Sequence, residues 1–338
     1  MEEIHQEEDQ TIEATNIDTS VNADIAFIAD TASKIKDEMA KVIVGQDSTI
    51  DLMIAALFIG GHILLEGVPG IAKTLTAKML SKTISVDFSR IQFTPDLMPA
   101  DIVGTSVFNL KESEFKFRSG PVFANIILID EINRSPAKTQ AALFELMEER
   151  QISVDGQTYP MSYPFMVLAT MNPIEQEGTY RLPEAQLDRF IFRIVMEYPN
   201  LEEEKQILHR FNNDFTAKVT QTVQSIVNAK DIKRCSEIVE KIFIKEEIIN
   251  YIANVVHETR NHGDLFLGAS PRASLSLLKA SKAMAAISGR DFVTPDDVRA
   301  VSDAVLNHRI IPSPEKEMEG ITAQDIIKQI IQKIEVPR

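Results

Sequence analysis

One cysteine, Cys235, is all that the 338-residue sequence contains. A lone thiol forms no intrachain disulfide, so a disulfide scaffold is excluded. With no apolar signal-peptide core after Met1, a cytoplasmic location is the expectation. Long apolar runs are missing too. The longest, Met53 to Leu65, is broken by Gly60, Gly61 and His62 and falls short of the roughly 20 residues a membrane helix needs. Direct membrane insertion is not expected, and any membrane association would run through a partner. Basic residues are in deficit, with 35 Lys and Arg against 50 Asp and Glu, a net charge of −15, which argues against nucleic acid as a partner. Internal repeats and low-complexity tracts are absent. His62 and His257 lack companions at zinc-ligand spacing.

What is present is an ordinary globular composition, 44% hydrophobic and 25% charged, enough to bury a core in about two domains. Residues 1–24 hold eight acids and neither Lys nor Arg, and read as a solvated, flexible tail. Residues 25–200 alternate strands and helices. Ile25, Ile28, Ala32, Ile35 and Met39 recur at helical spacing, and a second helix is expected over 47–60. Ile63 to Leu65, Ile126 to Ile129, Phe165 to Ala169 and Phe190 to Val195 read as buried strands, with Ser89 to Phe93 a weaker one. Continuous apolar strands between helices imply a parallel sheet covered on both faces. Ser135-Pro136 predicts a cap and first-turn proline for a helix running to about Arg150. Two hairpins interrupt this order, one turning at Lys111-Glu112-Ser113-Glu114 and one at Asp155-Gly156. Past Asn200 the strand signals stop. Residues 201–338 read as an all-helical second domain, with helix starts at Ser270-Pro271, Thr294-Pro295 and Thr322-Ala323.

The chemistry concentrates at strand ends. Gly67-Val68-Pro69-Gly70-Ile71-Ala72-Lys73-Thr74 follows one strand and opens a helix. Backbone N–H groups of such a loop point at phosphates, Lys73 offsets β/γ-phosphate charge and Thr74 ligates Mg²⁺. Ala72 replaces the usual glycine, which is harmless unless the position needs a positive φ. Asp130-Glu131 ends the next buried strand, where open α/β sheets bind ligands. Asp130 suits Mg²⁺ through water, and Glu131 suits the polarising of a hydrolytic water. Asn172 ends a third strand and can hold that water or the γ-phosphate; alone it would read as a turn residue. Arg189, in Leu187-Asp188-Arg189-Phe190, suits a charge clamp on a transferring phosphoryl group. Arg272, in Ser270-Pro271-Arg272, sits in a helix first turn against the dipole, which hints at an anionic partner. Arg134 and Arg181 read as surface ion pairs.

This order of motifs resembles the AAA+ ATPases, and within them the MoxR family. Val44-Gly45-Gln46, Leu64 to Thr74, Asp130-Glu131-Ile132-Asn133-Arg134, Lys138 to Leu143, Met147-Glu148-Glu149-Arg150 and Leu182 to Phe190 carry the likeness, which runs from about Ile35 to Pro312. The resemblance implies an α/β P-loop core with a five-stranded parallel sheet of order 5-1-4-3-2. It places helices on both faces, one hairpin inserted in the second core helix and another before the Asn172 strand, and a helical lid behind. It implies ATP and Mg²⁺ as cofactors, with Val44, Gly45, Gln46 and the run Gly67 through Leu75 around the nucleotide. MoxR loops commonly carry alanine before the lysine. A homo-oligomeric ring, usually hexameric, is implied, with Arg189 acting in trans and Arg272 matching a lid arginine that senses phosphate in cis or in trans. The implied role is chaperone-like remodelling of partner proteins, especially von Willebrand A domain proteins, membrane-bound ones included, in complex assembly or metal insertion. A nucleic-acid motor, a nucleotide-gated scaffold and a chelatase-type subunit are the alternatives. The acidic Lys111–Glu114 tip and the base-free Asp155-Gly156-Gln157 tip weigh against the first. The complete set Lys73, Thr74, Asp130, Glu131, Asn172 and Arg189 weighs against the second, and the closer match to MoxR weighs against the third.

Overall fold

The computed structural model describes residues 22–173, 179–180, 182–214 and 218–337. Residues 1–21 of the acidic segment lie outside that set. Helix α1 (22–40) is already formed at residue 22, inside the stretch read as tail. Asp24 anchors it, pairing with Arg234 at 2.8 Å, while the same guanidinium lies 4.0 Å from the Phe27 ring centre. Ile28, Ala32, Ile35 and Met39 form the buried face, as their spacing predicts. Helix α2 (Asp47–Phe58) follows a turn at Gly45.

The sheet strands are β1 (Ile63–Glu66), β2 (Phe88–Gln92), β3 (Ile126–Asp130), β4 (Met166–Met171) and β5 (Phe192–Val195). All pair in parallel in the order β5-β1-β4-β3-β2. Successive side chains leave opposite faces of a strand. Ile63, Leu65, Ile126 and Leu128 accordingly enter one core, while Leu64, Ile127 and Ile129 enter the other. Strand β2 is one of the two edges, paired with β3, and Ile91 is its one buried residue. One-sided burial explains its weak apolar signal.

Helix α3 (Lys73–Thr83) leaves the loop after β1, and helix α4 (Ala137–Glu149) lies between β3 and β4. Pro136 holds the cap position of α4 and the buried Ser135 hydroxyl has no hydrogen-bond partner, so the expected serine cap is not made. Both hairpins form, Gly104–Asn109 with Glu114–Ser119 and Gln151–Val154 with Gln157–Pro160. The first follows a five-residue helix, Pro99–Val103, and no helix resumes between Ser119 and β3. It therefore extends that short helix rather than splitting a longer one.

From Asn200 onward the described chain is mostly helical. The Asn200 side chain accepts from the N–H groups of Glu202 and Glu203, each at 3.0 Å, and caps α5 (Leu201–Phe211). Helices α6 (Ala229–Lys241), α7 (Glu246–Asn261), α8 (Pro271–Ile287), α9 (Pro295–Leu306) and α10 (Ala323–Lys333) build the lid. Asp297 and Asp325 accept from the cap N–H groups of Thr294 and Thr322, at 2.8 and 3.0 Å, as the capping patterns predict. The lid is helical apart from three short strands, Val227–Asn228, Leu265–Leu267 and Ile311–Pro312. The first pairs with Ile84–Ser85 of the core domain. One hydrophobic cluster runs from Ile28 and Ile54 through Leu65 to Leu277 and Val301, so the lid shares the core beneath one sheet face. Among the described residues no helix is long and apolar enough to cross a membrane.

His62 fastens this core. Val167 N–H donates to its Nδ1 at 3.0 Å, so the ring proton sits on Nε2, which donates to the Met147 carbonyl at 3.1 Å. Burial lowers its pKa from 6.5 to about 4. Below pH 6.5 the unfolded chain binds a proton that the folded chain refuses until near pH 4, so stability falls with pH across that window. Between pH 7.5 and 5 this ring is expected to cost about 2 kcal/mol. Urea denaturation at both pH values tests it: His62→Gln should show a pH dependence smaller by that amount, and an unchanged dependence contradicts the assignment.

Candidate active site

The loop between β1 and α3 is shaped by three unusual backbone positions. Gly67 has φ 156, and a Cβ there would lie 2.3 Å from Ile71 Cδ1. Gly70 has φ 87, and a Cβ there would meet nothing within 4 Å, which leaves backbone open to an approaching ligand. Ala72 has φ 66 and ψ 20. The condition under which alanine is not harmless is therefore met, at a cost of about 1–2 kcal/mol relative to a right-handed conformation.

Lys73 follows directly, and its ammonium donates to the carbonyls of Gly67 and Val68, the latter at 2.8 Å. Thr74 donates to Asp130 Oδ1 at 2.9 Å, Thr170 donates to the same oxygen at 3.2 Å, and Arg90 Nε donates to Oδ2 at 2.7 Å. Asp130 is only 4% exposed, and these contacts compensate its burial. Glu131 takes a left-handed backbone, φ 57, with its N–H on Thr170 Oγ1 at 3.0 Å. Its carboxylate accepts from Gln92 Nε2 at 2.8 Å and pairs with Arg134 at 3.0 Å. Arg134, read as a surface ion pair, thus pairs with a candidate catalytic carboxylate. Arg181 lies outside the described residues.

A cleft of about 410 Å³ brings Gly70, Lys73, Thr74, Asp130, Glu131 and Asn172 together at the carboxyl ends of β1, β3 and β4. A neighbouring cavity of about 360 Å³, lined by Val44, Gln46, Ile71, Tyr198 and Phe211, joins it through Pro69, Gly70, Ala72 and Leu75. Polar walls on one side and apolar walls on the other match the two ends of a nucleotide. Gly45, Gly67 and Val68 line neither cavity. Gly45 makes the turn, at φ 71, where a Cβ would lie 2.3 Å from the Glu203 carboxylate carbon, and the other two hold Lys73.

Arg189 and Arg272 are elsewhere. They line a separate cleft of about 300 Å³ with Glu148, Asp188 and Arg309, and share no lining residue with the loop cleft. Glu148 bridges them, at 2.8 Å from Arg272 Nη2 and 3.3 Å from Arg189 Nε. The Arg189 contact is an ion pair without hydrogen-bond geometry. Ser270, at the start of α8, makes no side-chain cap and turns its hydroxyl to Asp188 at 3.3 Å.

Reading the sequence missed Arg90, Gln92 and Thr170. The alternation Arg90-Ile91-Gln92 on a short strand was a usable signal that two polar groups share one face. Thr170 falls between the strand read as Phe165 to Ala169 and Asn172, and its spacing assigns it no role.

Two family models match the chain, the ATPase family associated with various cellular activities over residues 62–192 and the AAA lid domain over 257–330. YeaC, an uncharacterized protein of Bacillus subtilis, is 43% identical across 90% of this chain and 94% of its own. Chaperone MoxR1 of Mycobacterium tuberculosis is 42% identical across 89% of this chain and 81% of its own. The chain belongs to the MoxR family of AAA+ ATPases. A crystal structure from Cytophaga hutchinsonii, described as that of a putative ATPase, superposes on this MoxR-family fold with a TM-score of 0.86 and 42% identity, covering 95% of this chain and 99% of that one. Membership makes the chain a P-loop enzyme that binds and hydrolyses ATP.

The strained loop of this MoxR-family ATPase makes a prediction. Ala72→Gly relieves the left-handed strain but gains unfolded-state entropy of about 0.4–1 kcal/mol, so a net stabilisation of up to about 1 kcal/mol is expected, with nucleotide affinity kept. Ala72→Val, β-branched at the same φ, should lose more than about 1 kcal/mol and bind ATP more weakly. Thermal denaturation with ATP titration calorimetry measures both, and a valine variant matching the wild type contradicts the loop conformation.

Proposed function

We propose that this ATPase works as a homo-oligomeric ring, hexameric as in its family, that spends ATP hydrolysis on remodelling partner proteins in the cytoplasm. The observation that carries the reading is the separation of the two clefts. Lys73, Thr74, Asp130, Glu131 and Asn172 converge on one, while Arg189 and Arg272 converge on the other. A site divided in this way is completed by a second subunit.

In this reading Lys73 moves its ammonium from the Gly67 and Val68 carbonyls to the β- and γ-phosphates. The hydroxyl of Thr74 and the carboxylate of Asp130 form an oxygen donor set suited to Mg²⁺, which keeps much of its water and tolerates few carboxylates. When bound, the ion held by Thr74 and Asp130 would supply positive charge to offset the negative charge of the phosphates. Glu131 polarises the attacking water, and Asn172 holds it or the γ-phosphate in line. Arg189 of one subunit reaches the γ-phosphate held by its neighbour. Arg272 shares Glu148 with Arg189, and we assign it to the same neighbouring site.

Protein clients fit the hairpins better than nucleic acid does. Val107, Phe108, Leu110 and Phe115 are exposed on the first hairpin. Its Lys116 is paired with Glu112 and Glu114, and Asp155 of the second tip accepts from Ser106. Phe117 stacks on Tyr159 at 4.7 Å, joining the two hairpins into one projection that exposes apolar side chains and carries no excess of basic over acidic residues. Proteins with von Willebrand A domains, free or membrane-bound, in complex assembly or metal insertion, are the clients the family likeness suggests. A relative 42% identical is named a chaperone.

Two variants test the chemistry. Glu131→Gln keeps size and hydrogen bonding, so it should bind ATP normally while hydrolysis falls by about 10²-fold or more. Arg189→Ala should bind ATP and lose turnover by up to roughly 10³-fold. Mixing the two inactive proteins should restore activity, because Arg189→Ala subunits keep an intact Glu131 and receive Arg189 from Glu131→Gln neighbours. Wild-type hydrolysis by Glu131→Gln removes that residue from the mechanism; mixed rings without recovered activity remove the trans role of Arg189.

A further inference from the structure

The segment that carries Arg189 is held by the lid, and one side chain does most of the holding. Arg309 follows α9 and its side chain is 2% exposed. Its Nε donates to Asp188 Oδ1 at 2.6 Å. Its Nη2 donates to the backbone carbonyls of Asp188 at 3.1 Å and Phe190 at 2.7 Å, and its Nη1 donates to that of Ile191 at 3.3 Å. These acceptors bracket Arg189 in the chain. The same guanidinium also bonds the Val305 carbonyl at the end of α9 and, at 3.4 Å, the Ser276 hydroxyl of α8. It is thus rooted in two lid helices and grips the peptide units on either side of Arg189.

Its neighbours in sequence repeat the pattern. His308 Nε2 donates to the Phe190 carbonyl at 3.0 Å, and Asn307 Nδ2 donates to the Arg193 carbonyl at 3.0 Å. Arg193 in turn pairs with Glu66 at 2.5 Å, the last residue of β1 before the phosphate loop. The Arg189 side chain is held more loosely, by an ion pair to Glu148 without hydrogen-bond geometry and by the Phe144 ring, whose centre lies 6.0 Å from its guanidinium carbon. The lid therefore grips the backbone at Arg189 more closely than anything grips its side chain.

We propose that Arg309 is a positioning residue through which the lid of each subunit sets where its Arg189 is presented to the neighbouring ATP site. The assignment rests on the trans role of Arg189 proposed above. A lid that turns with the nucleotide in its own site then carries the Asp188–Ile191 segment with it, and the state of one site is read at the next. Arg309 acts through Arg189 and touches no substrate.

The test uses the full chain. Arg309→Lys keeps the charge and loses the fork that reaches several carbonyls at once. Asp188→Asn, isosteric and partly exposed, carries the same test if the lysine variant fails to fold. Either should bind ATP as the wild type does, keep KM, and lose about 10- to 100-fold in kcat, the scale of a small misplacement of a reacting group. A purely structural role would not give the next result. Mixed with Glu131→Gln subunits, the Arg309→Lys subunits receive a correctly presented Arg189 and should recover turnover, as Arg189→Ala subunits do. Loss of turnover that mixing fails to recover, while the Arg189→Ala mixture recovers, overturns the positioning role and leaves the ring reading intact. A raised KM with kcat unchanged overturns it too, since Arg309 would then serve the nucleotide of its own subunit. Failure of both mixtures, with mixed rings formed, overturns the trans reading and this inference together.

Discussion

A carboxylate withdrawn from water costs several kcal/mol unless its charge is met by good partners, and Asp130 is withdrawn almost completely. Its partners come from three other elements, Thr74 on α3, Arg90 on β2 and Thr170 on β4. One charge therefore locks the phosphate loop, the edge strand and the neighbouring strand into a single arrangement. Thr170 extends the lock by accepting the Glu131 N–H, which holds that residue in a left-handed backbone. Ala72 is strained in the same sense across the cleft. Strain of about 1–3 kcal/mol at each position persists only where the surroundings over-determine it. The fully buried β1 and β3 beneath the cleft supply that support.

The second organising feature is the continuity of the core. The lid shares one apolar cluster with the sheet, and its polar strap, Asn307 to Arg309, reaches β5 and the segment before it. The chain therefore divides its chemistry without dividing its body. The loop cleft and the arginine cleft share no lining residue, yet Glu66 and Arg193, an ion pair between adjacent strands, link the root of one to the root of the other. In the proposed ring this gives a short physical route from a bound nucleotide to the arginine offered next door.

Much of the sheet was legible because its strands are buried on both faces and so read as unbroken apolar runs. The order of the strands came from family likeness, since a run such as Ile126–Ile129 does not say which strands flank it. Strand β2 was faint because Ile91 alone of its residues is buried. The loop, Asp130, Glu131 and Asn172 were legible because each sits at a strand end, where chemistry and position coincide. Arg90, Gln92 and Thr170 were not, because only strand register says that Arg90 and Thr170 meet Asp130 and that Gln92 meets Glu131. Ala72 shows the opposite limit, with the residue type visible and the backbone angle that gives it meaning hidden. Arg309 was silent for a further reason, as its acceptors are mostly backbone carbonyls more than a hundred residues away.

In the proposed ring the hydrolytic site is one that a single chain does not complete. The most direct measurement is the ATPase rate per subunit of the wild-type protein across a dilution series, with assembly followed by sedimentation in the same buffer and ATP binding measured at each end. The account predicts that specific activity rises with the assembled fraction and falls away as monomers dominate, while monomers still bind ATP. Specific activity that stays constant well below the assembly threshold would contradict it.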